Sequence, residues 1–331
     1  TPAACARVPA AAEGVARHPL IIDTDAGIDD LAAIAWLLTR PDVEIEAVTI
    51  GTGLANIEPG AWNVLRLLTL AGRDDIPVFM GSAEPLAGDR AFPAEWRALT
   101  DSLPGVDLPL AARAPEDRPA VGFLAERFGD ATRPVDVLAL GGLTNIAAAI
   151  TRSGDNAAAV RRLVIMGGAV GVPGNLHEAG PNENTTAEWN FYIDAEAARQ
   201  VFASGLPILL VPLDATDDVP LDRGYIYELR AASDAPLARA VAAMLEIIAP
   251  FMDVGDYYAW DPLAAVALVD STIVTTRPAA IAILLDPPQD GRSAEQVGQP
   301  PNALVATAAD AQRFRSIFLN DLASARTTAT P

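Results

Sequence analysis

The sequence predicts an α/β fold: a mostly parallel, doubly wound, Rossmann-like sheet with helices on both faces. Three observations predict it. Short apolar runs bounded by Gly, Pro or Asp recur along the chain, as buried strands of a parallel sheet do. Segments with apolar spacing of three and four residues alternate with those runs, giving a β-α-β rhythm. The polar and glycine-rich motifs fall just after the apolar runs, and in open α/β sheets ligands bind at the carboxyl ends of strands.

Taken in order, Pro19-Leu20-Ile21-Ile22 reads as a central strand. It runs into Asp23-Thr24-Asp25-Ala26-Gly27-Ile28-Asp29-Asp30, a loop with four carboxylates. A helical pattern follows from Leu31 to Leu38. Glu44 to Gly51 is a second strand, Gly60 to Ala71 a helix and Ile76 to Met80 a short third strand. Ser82 to Pro119 is Pro-rich and weakly patterned, and reads as a long loop over the site. Val135 to Leu140 is a fourth strand, stopped by Gly141-Gly142 before a helix from Leu143 to Ile150. Leu163 to Met166 is a fifth strand, stopped by Gly167-Gly168. A helix from Ala195 to Phe202 precedes a sixth strand, Pro207 to Val211, and another helix runs from Leu263 to Val269. Right-handed crossovers put all these strand ends on one edge.

The chain has 331 residues, 51% of them hydrophobic, which is enough for a large core. The expected organisation is a flexible N-terminal tail over residues 1–17 and a single catalytic domain over 18–331. The Ala-rich tail, which begins without Met, suggests export to the periplasm or beyond; without that signal the chain reads as cytoplasmic. A net charge of −20 and a pI near 4.3 argue against nucleic acid as a partner. No apolar stretch reads as a membrane span. There is no Lys, so Schiff-base chemistry is excluded, and the lone Cys5 excludes a disulfide framework.

Four acids at one strand end repel one another unless a cation or proton sits among them. Carboxylate oxygens are hard ligands, which points to Ca²⁺ or Mg²⁺ rather than zinc. A helix-loop-helix calcium loop counted from Asp23 needs Gly sixth and Glu twelfth, but Ile28 and Ile34 stand there. A solvated, helix-capping acid cluster is the other structural alternative. Asp261, in Trp260-Asp261-Pro262, is a fifth candidate acid or simply a helix cap.

Asp-Thr-Asp-Ala-Gly-Ile-Asp-Asp, followed by Gly-Gly-Leu-Thr-Asn, Met-Gly-Gly-Ala, Glu-Trp-Asn and Trp-Asp-Pro-Leu, resembles the nucleoside N-ribohydrolase (inosine-uridine preferring nucleoside hydrolase) family. The match runs in order from Pro19 to about Asp270. Phe92-Pro93-Ala94-Glu95-Trp96-Arg97 and Gly255-Asp256-Tyr257-Tyr258-Ala259-Trp260-Asp261 are similar to the purine-specific inosine-adenosine-guanosine subgroup. The resemblance implies the nucleoside hydrolase fold, a small-molecule purine nucleoside as substrate, one Ca²⁺ per subunit, and a homodimer or homotetramer.

It also implies roles. Asp25, Asp30 and Asp261 would bind calcium with the carbonyl of Leu140, where the family usually has Thr, and Asp23 would orient its neighbours. The calcium would hold the ribose 2′- and 3′-hydroxyls and the attacking water, with Asp25 as general base. Asp29 and Asn190 would grip the 2′-hydroxyl, and Glu188 and Asn175 the 5′-hydroxyl. Met166 and Trp189 would line the substrate pocket. Trp96 and Trp260 would stack on the leaving purine, Trp260 standing where many members carry a catalytic His. The family often has a Gly-Asn pair after strand two; here Asn56 either serves from a shifted position or simply follows the strand. The subgroup is thought to let solvent protonate the leaving base; His177, in a loop near Asn175, is the alternative acid or simply a surface residue.

Three other readings compete: a broader nucleoside hydrolase that also takes pyrimidines, a non-catalytic nucleoside or sugar binder, and an aspartyl-phosphate phosphatase. The last needs a Lys that this chain lacks.

Overall fold

The computed structural model describes residues 19–153, 157–176, 180–181 and 183–325. The chain opens with β1 (Pro19–Thr24), α1 (Ile28–Leu38), β2 (Glu44–Ile50), α2 (Ile57–Leu70) and β3 (Val78–Met80). It continues through α3 (Ala94–Ser102), α4 (Ala120–Gly129), β4 (Val135–Ala139), α5 (Thr144–Ser153) and β5 (Val160–Met166). Next come α6 (Trp189–Ile193), α7 (Ala195–Phe202), β6 (Ile208–Val211), α8 (Leu213–Thr216), α9 (Arg223–Ala232), α10 (Pro236–Ile247), α11 (Ala249–Asp253) and α12 (Trp260–Val269). The last part holds β7 (Val274–Ala279), β8 (Ile281–Ile283), β9 (Ser293–Glu295), β10 (Ala303–Ala309) and α13 (Ala311–Ser324).

Among the described residues, eight strands form one sheet in the order β3-β2-β1-β4-β5-β6-β10-β7. All pairings are parallel except β10 with β7, so the sheet is mostly parallel, as expected. β8 and β9 form a separate antiparallel pair. Strand order reverses direction at β1, which lies between β2 and β4. That is the switch point at which a crevice opens outside the carboxyl ends.

Both faces of the sheet are buried because alternate residues of each apolar run point to opposite sides. Ile22, Val48, Leu138 and Val164 pack with α1, α2, α10, α12 and α13, through residues such as Trp36, Phe314 and Phe318. Ile21, Val137, Ile165 and Leu210 pack with α4, α5 and α7 through Phe128, Ile146 and Val201.

Four boundaries differ from expectation for identifiable reasons. β5 begins at Val160, not Leu163, because Arg162 is neutralised within the sheet: it donates to Asp136 on β4 at 2.9 Å. α2 begins at Ile57, three residues before Gly60, because Pro59 lies in the first turn, where its missing N–H is not needed. α12 begins at Trp260, which puts Trp260 and Asp261 in its first turn. The stretch expected to be loop, Ser82 to Pro119, contains α3. The chain leaves the sheet after Met80 and returns beside it, where Glu116 bridges Phe79.

Candidate active site

β1 delivers its acids to the switch point. The turn after it is tight: Ala26 takes a left-handed φ of 57°. The Ala26 N–H donates to Thr24 Oγ1 at 2.9 Å, and the Thr24 hydroxyl donates to Asp30 Oδ1. The Gly27 N–H lies between two carboxylates, 3.2 Å from Asp25 Oδ1 and 3.1 Å from Asp30 Oδ2. Asp29 and Asp30 then occupy the first turn of α1, where the helix macrodipole favours negative charge.

Neighbouring strand ends close on Asp25. Its Oδ2 accepts from the Leu54 N–H at 2.8 Å. A Cβ at Gly53 would stand 1.9 Å from Asp25 Oδ2, and one at Gly141 would stand 2.8 Å from Asp25 Cβ. Both glycines are needed for backbone to come this close. Beneath, Asp23 accepts from Thr49 Oγ1 at 2.5 Å and from Asn145 Nδ2 at 2.9 Å. Burial still pushes the Asp23 carboxyl up to about 7.

Asp261 arrives from α12, far away in sequence. Asp29, Asp30 and Asp261 each bring one carboxylate oxygen within 4.8 Å of the others. This trio differs from the expected set of Asp25, Asp30 and Asp261. Asp25 adjoins Asp30 as expected, but its two oxygens already accept backbone N–H groups.

Burial, then mutual repulsion, raises every acid here: Asp29 to about 7, Asp30 to about 6, Asp25 and Asp261 well above the usual range. Asp261 Oδ1 is buried with no hydrogen-bond partner. The cleft lining includes no Arg or His among the described residues. An orphaned carboxylate oxygen amid hard oxygen donors, with no cationic side chain to balance them, fits a divalent cation.

The opposite wall comes from α6 and the ends of β4 and β5. Glu188 caps α6: its Oε1 accepts from Asn190 N at 2.8 Å, and its Oε2 from Gly168 N at 2.8 Å and Phe191 N at 3.2 Å. Burial outweighs these three bonds and lifts its carboxyl to about 7. Asn190 Nδ2 donates to the Leu140 carbonyl at 2.9 Å and to the Met166 carbonyl at 3.3 Å. Asn175 Oδ1 accepts from the Trp189 N–H at 3.1 Å.

Aromatic rings also line the cleft. Phe92 stacks on Trp189 at 4.6 Å between centroids, and Trp96 meets both Trp189 and Phe251 edge-on at 5.9 Å. Trp260 packs against Tyr257 at 4.6 Å.

One cleft therefore collects Asp25, Asp29, Asp30, Trp96, Leu140, Met166, Asn175, Glu188, Trp189, Asn190, Trp260 and Asp261. The exception is Asn56, which does not line it. Asn56 is exposed and caps α2, with its Nδ2 donating to Asp101 at 2.5 Å and its Oδ1 accepting from Arg97 at 2.5 Å. His177 lies outside the described residues, as do His18 and Cys5.

Residues 20–316 match the family model for the inosine-uridine preferring nucleoside hydrolase. The chain belongs to the nucleoside hydrolase family. This nucleoside hydrolase is 34% identical over 266 residues to the pyrimidine-specific ribonucleoside hydrolase RihA of Salmonella agona, covering 78% of this chain and 81% of the relative. Among solved structures it is similar to the plant nucleoside hydrolase PpNRh1, with a TM-score of 0.81 and 30% identity over 93% of this chain and 100% of that one. The purine-preferring ribonucleoside hydrolase from Gardnerella vaginalis gives a TM-score of 0.80 and 27% identity, over 92% of this chain and 98% of that one. The reaction is hydrolysis of an N-ribosyl bond.

Sequence reading missed several cleft residues of this hydrolase: Leu54, Leu99, Ile247, Ile248 and Phe251. Only the Ala249-Pro250 break after α10 marks the last three, and it gives no direction.

Proposed function

We propose that this hydrolase cleaves purine ribonucleosides to free base and ribose in a Ca²⁺-dependent reaction. One observation carries the reading: a single cleft is lined both by buried, uncompensated carboxylates and by aromatic rings, including Trp96 and Trp260. Asp29, Asp30 and Asp261 would hold the calcium, with Asp25 and the Leu140 carbonyl beside them. Bound there, the ion would supply positive charge that acidifies water and grips the ribose diol.

The chain's own residues do the rest. Asp25 takes the proton from the attacking water. Its carboxylate is aimed by the Gly27 and Leu54 N–H groups. The carboxylates also stabilise the positive charge that develops on the ribose as the bond breaks. Asp29 and Asn190 hold the 2′-hydroxyl, and Glu188 and Asn175 the 5′-hydroxyl. Anchored by the Leu140 and Met166 carbonyls, the Asn190 amide meets the sugar in a fixed orientation. Trp96 and Trp260 flank the departing purine, and water supplies its proton.

A second reading, activity on pyrimidine ribonucleosides as well, is favoured by the identity to the pyrimidine-specific relative. Ribose release from inosine, adenosine, guanosine, uridine and cytidine decides between them. We expect kcat/KM for the purines to exceed that for the pyrimidines. Equal values would make this a broad enzyme, and faster cleavage of uridine would overturn purine preference.

A further inference from the structure

We propose that Asn56 and Asp101 form a latch that positions α3, and with it Trp96, against the leaving-base end of the cleft. Both are positioning residues. The proposal rests on the reading of Trp96 as a base-stacking group.

The latch shows in an unusual use of a helix cap. Asn at an N-cap ordinarily accepts from its own helix's N–H groups. Asn56 caps α2 yet makes no such bond. It turns its side chain outward to α3: Asp101 accepts from the Asn56 backbone N–H at 2.8 Å and from its Nδ2 at 2.5 Å. Asn56 Oδ1 accepts from Arg97, the residue next to Trp96. Asp101 thus sits at the positive end of α2 and takes part of that helix's capping role. A second, buried Asn on α2 completes the grip: Asn63 Nδ2 donates to the Thr100 and Asp101 carbonyls, each at 3.1 Å, satisfying the end of α3.

α3 needs such a grip. Only Thr100 of its nine residues is buried, so packing holds it weakly. Its inner side nevertheless presents Trp96, Leu99 and Thr100 to the cleft. The other end of the latch is tied to the chemistry. Two residues before Asn56, the Leu54 N–H binds Asp25 Oδ2, and the Ala55 N–H binds the Asp25 carbonyl at 3.0 Å. Residues 54–56 therefore link the proposed base directly to the helix that holds the stacking ring.

The test measures Asp101→Ala, Asn56→Ala, the double variant and Asp101→Asn at saturating Ca²⁺. Each is assayed on inosine and on p-nitrophenyl β-D-ribofuranoside, whose leaving group needs no help. Each single Ala variant should raise KM and lower kcat/KM for inosine about tenfold, the scale of a slightly misplaced binding group. On the nitrophenyl riboside kcat should stay within about twofold. The double variant should lose less than the sum of the two singles, because the Asn56 Nδ2–Asp101 bond is common to both, although each single also breaks a bond of its own, Arg97 to Asn56 Oδ1 or the Asn56 backbone N–H to Asp101. Asp101→Asn keeps one acceptor and should recover part of the loss. No loss on inosine, equal losses on both substrates, or additive losses would overturn the latch. Trp96→Ala is run in parallel. If it shows no selective loss on inosine, the stacking reading fails, and the latch with it. If it does and the latch variants do not, the latch alone fails.

Discussion

Asp25 is held by two backbone N–H groups and crowded by Asp30, Gly53 and Gly141. Asp25→Ala should lower kcat by about 10²- to 10⁴-fold, the range for a general base. Circular dichroism should be unchanged, and the metal-free melting temperature should shift little, because relieved repulsion is offset by the Leu54 N–H left without its acceptor. Near-normal turnover would exclude Asp25 as the base. On the proposed function, Trp260 acts through its ring. Stacking adds about 0.5–1.5 kcal/mol per aromatic pair beyond burial, which caps its effect at roughly tenfold if felt only in the transition state. Trp260→Ala should therefore lower kcat on inosine by up to about tenfold and spare the nitrophenyl riboside. Equal losses on both would remove leaving-group activation from its role.

At the scale of elements, the loops after β2 and β4 must come within contact of Asp25, and only glycine allows it. Gly53→Ala places a methyl group 1.9 Å from Asp25 Oδ2, so the loop or the carboxylate must move. The expected result is a loss of about 10²-fold in kcat/KM with the sheet intact, since small displacements at a reacting group cost that much. A fully active Gly53→Ala enzyme would show that the close approach is not required. Legibility in the sequence followed burial. β1, β2, β4 and β6 were readable because runs such as Leu20-Ile21-Ile22 are apolar on both sheet faces. The start of β5 was not, because Arg161 and Arg162 look like surface until Asp136 is placed beside them. α3 was hidden by its thin apolar face, with one buried residue, and by the prolines around it. The acids and Trp260 were found at strand and helix ends, and Trp96 only through the family resemblance of Phe92 to Arg97. Asn56 was left open between a shifted substrate role and a structural one, because its distance along the chain from β2 says nothing about which way its side chain turns. Phe251 and Ile248 enter the cleft through a helix break whose direction only tertiary packing fixes.

For the whole molecule, the carboxylates make stability depend on pH and metal together. Asp23, Asp29 and Glu188 titrate near 7 and Asp30 near 6 in the folded chain, against about 4 when unfolded. Between those values the folded state binds more protons, so metal-free stability falls as pH rises. The contribution is complete below about pH 4 and gone once pH has passed about 7. Calcium requires the deprotonated acids and should reverse the trend. Melting curves from pH 5 to 8 should show a falling midpoint without calcium and a calcium-induced gain that grows with pH. A gain equal at both ends would contradict the linkage. A chelator should remove activity and stability together, by about 2.7 kcal/mol where free calcium had been a hundred times its Kd.

The excursion between Met80 and Glu116 begins and ends at neighbouring points of β3. It therefore resembles a replaceable cartridge: its two stubs meet, and no strand of the large sheet passes through it. The acid cluster comes from the end of β1, α1 and α12, outside the insert, whereas Phe92 and Trp96 travel with the cartridge. If Trp96 stacks on the base as proposed, exchanging that insert should alter the preference among nucleobases, and the Asn56–Asp101 bonds mark the seam that an exchange must preserve.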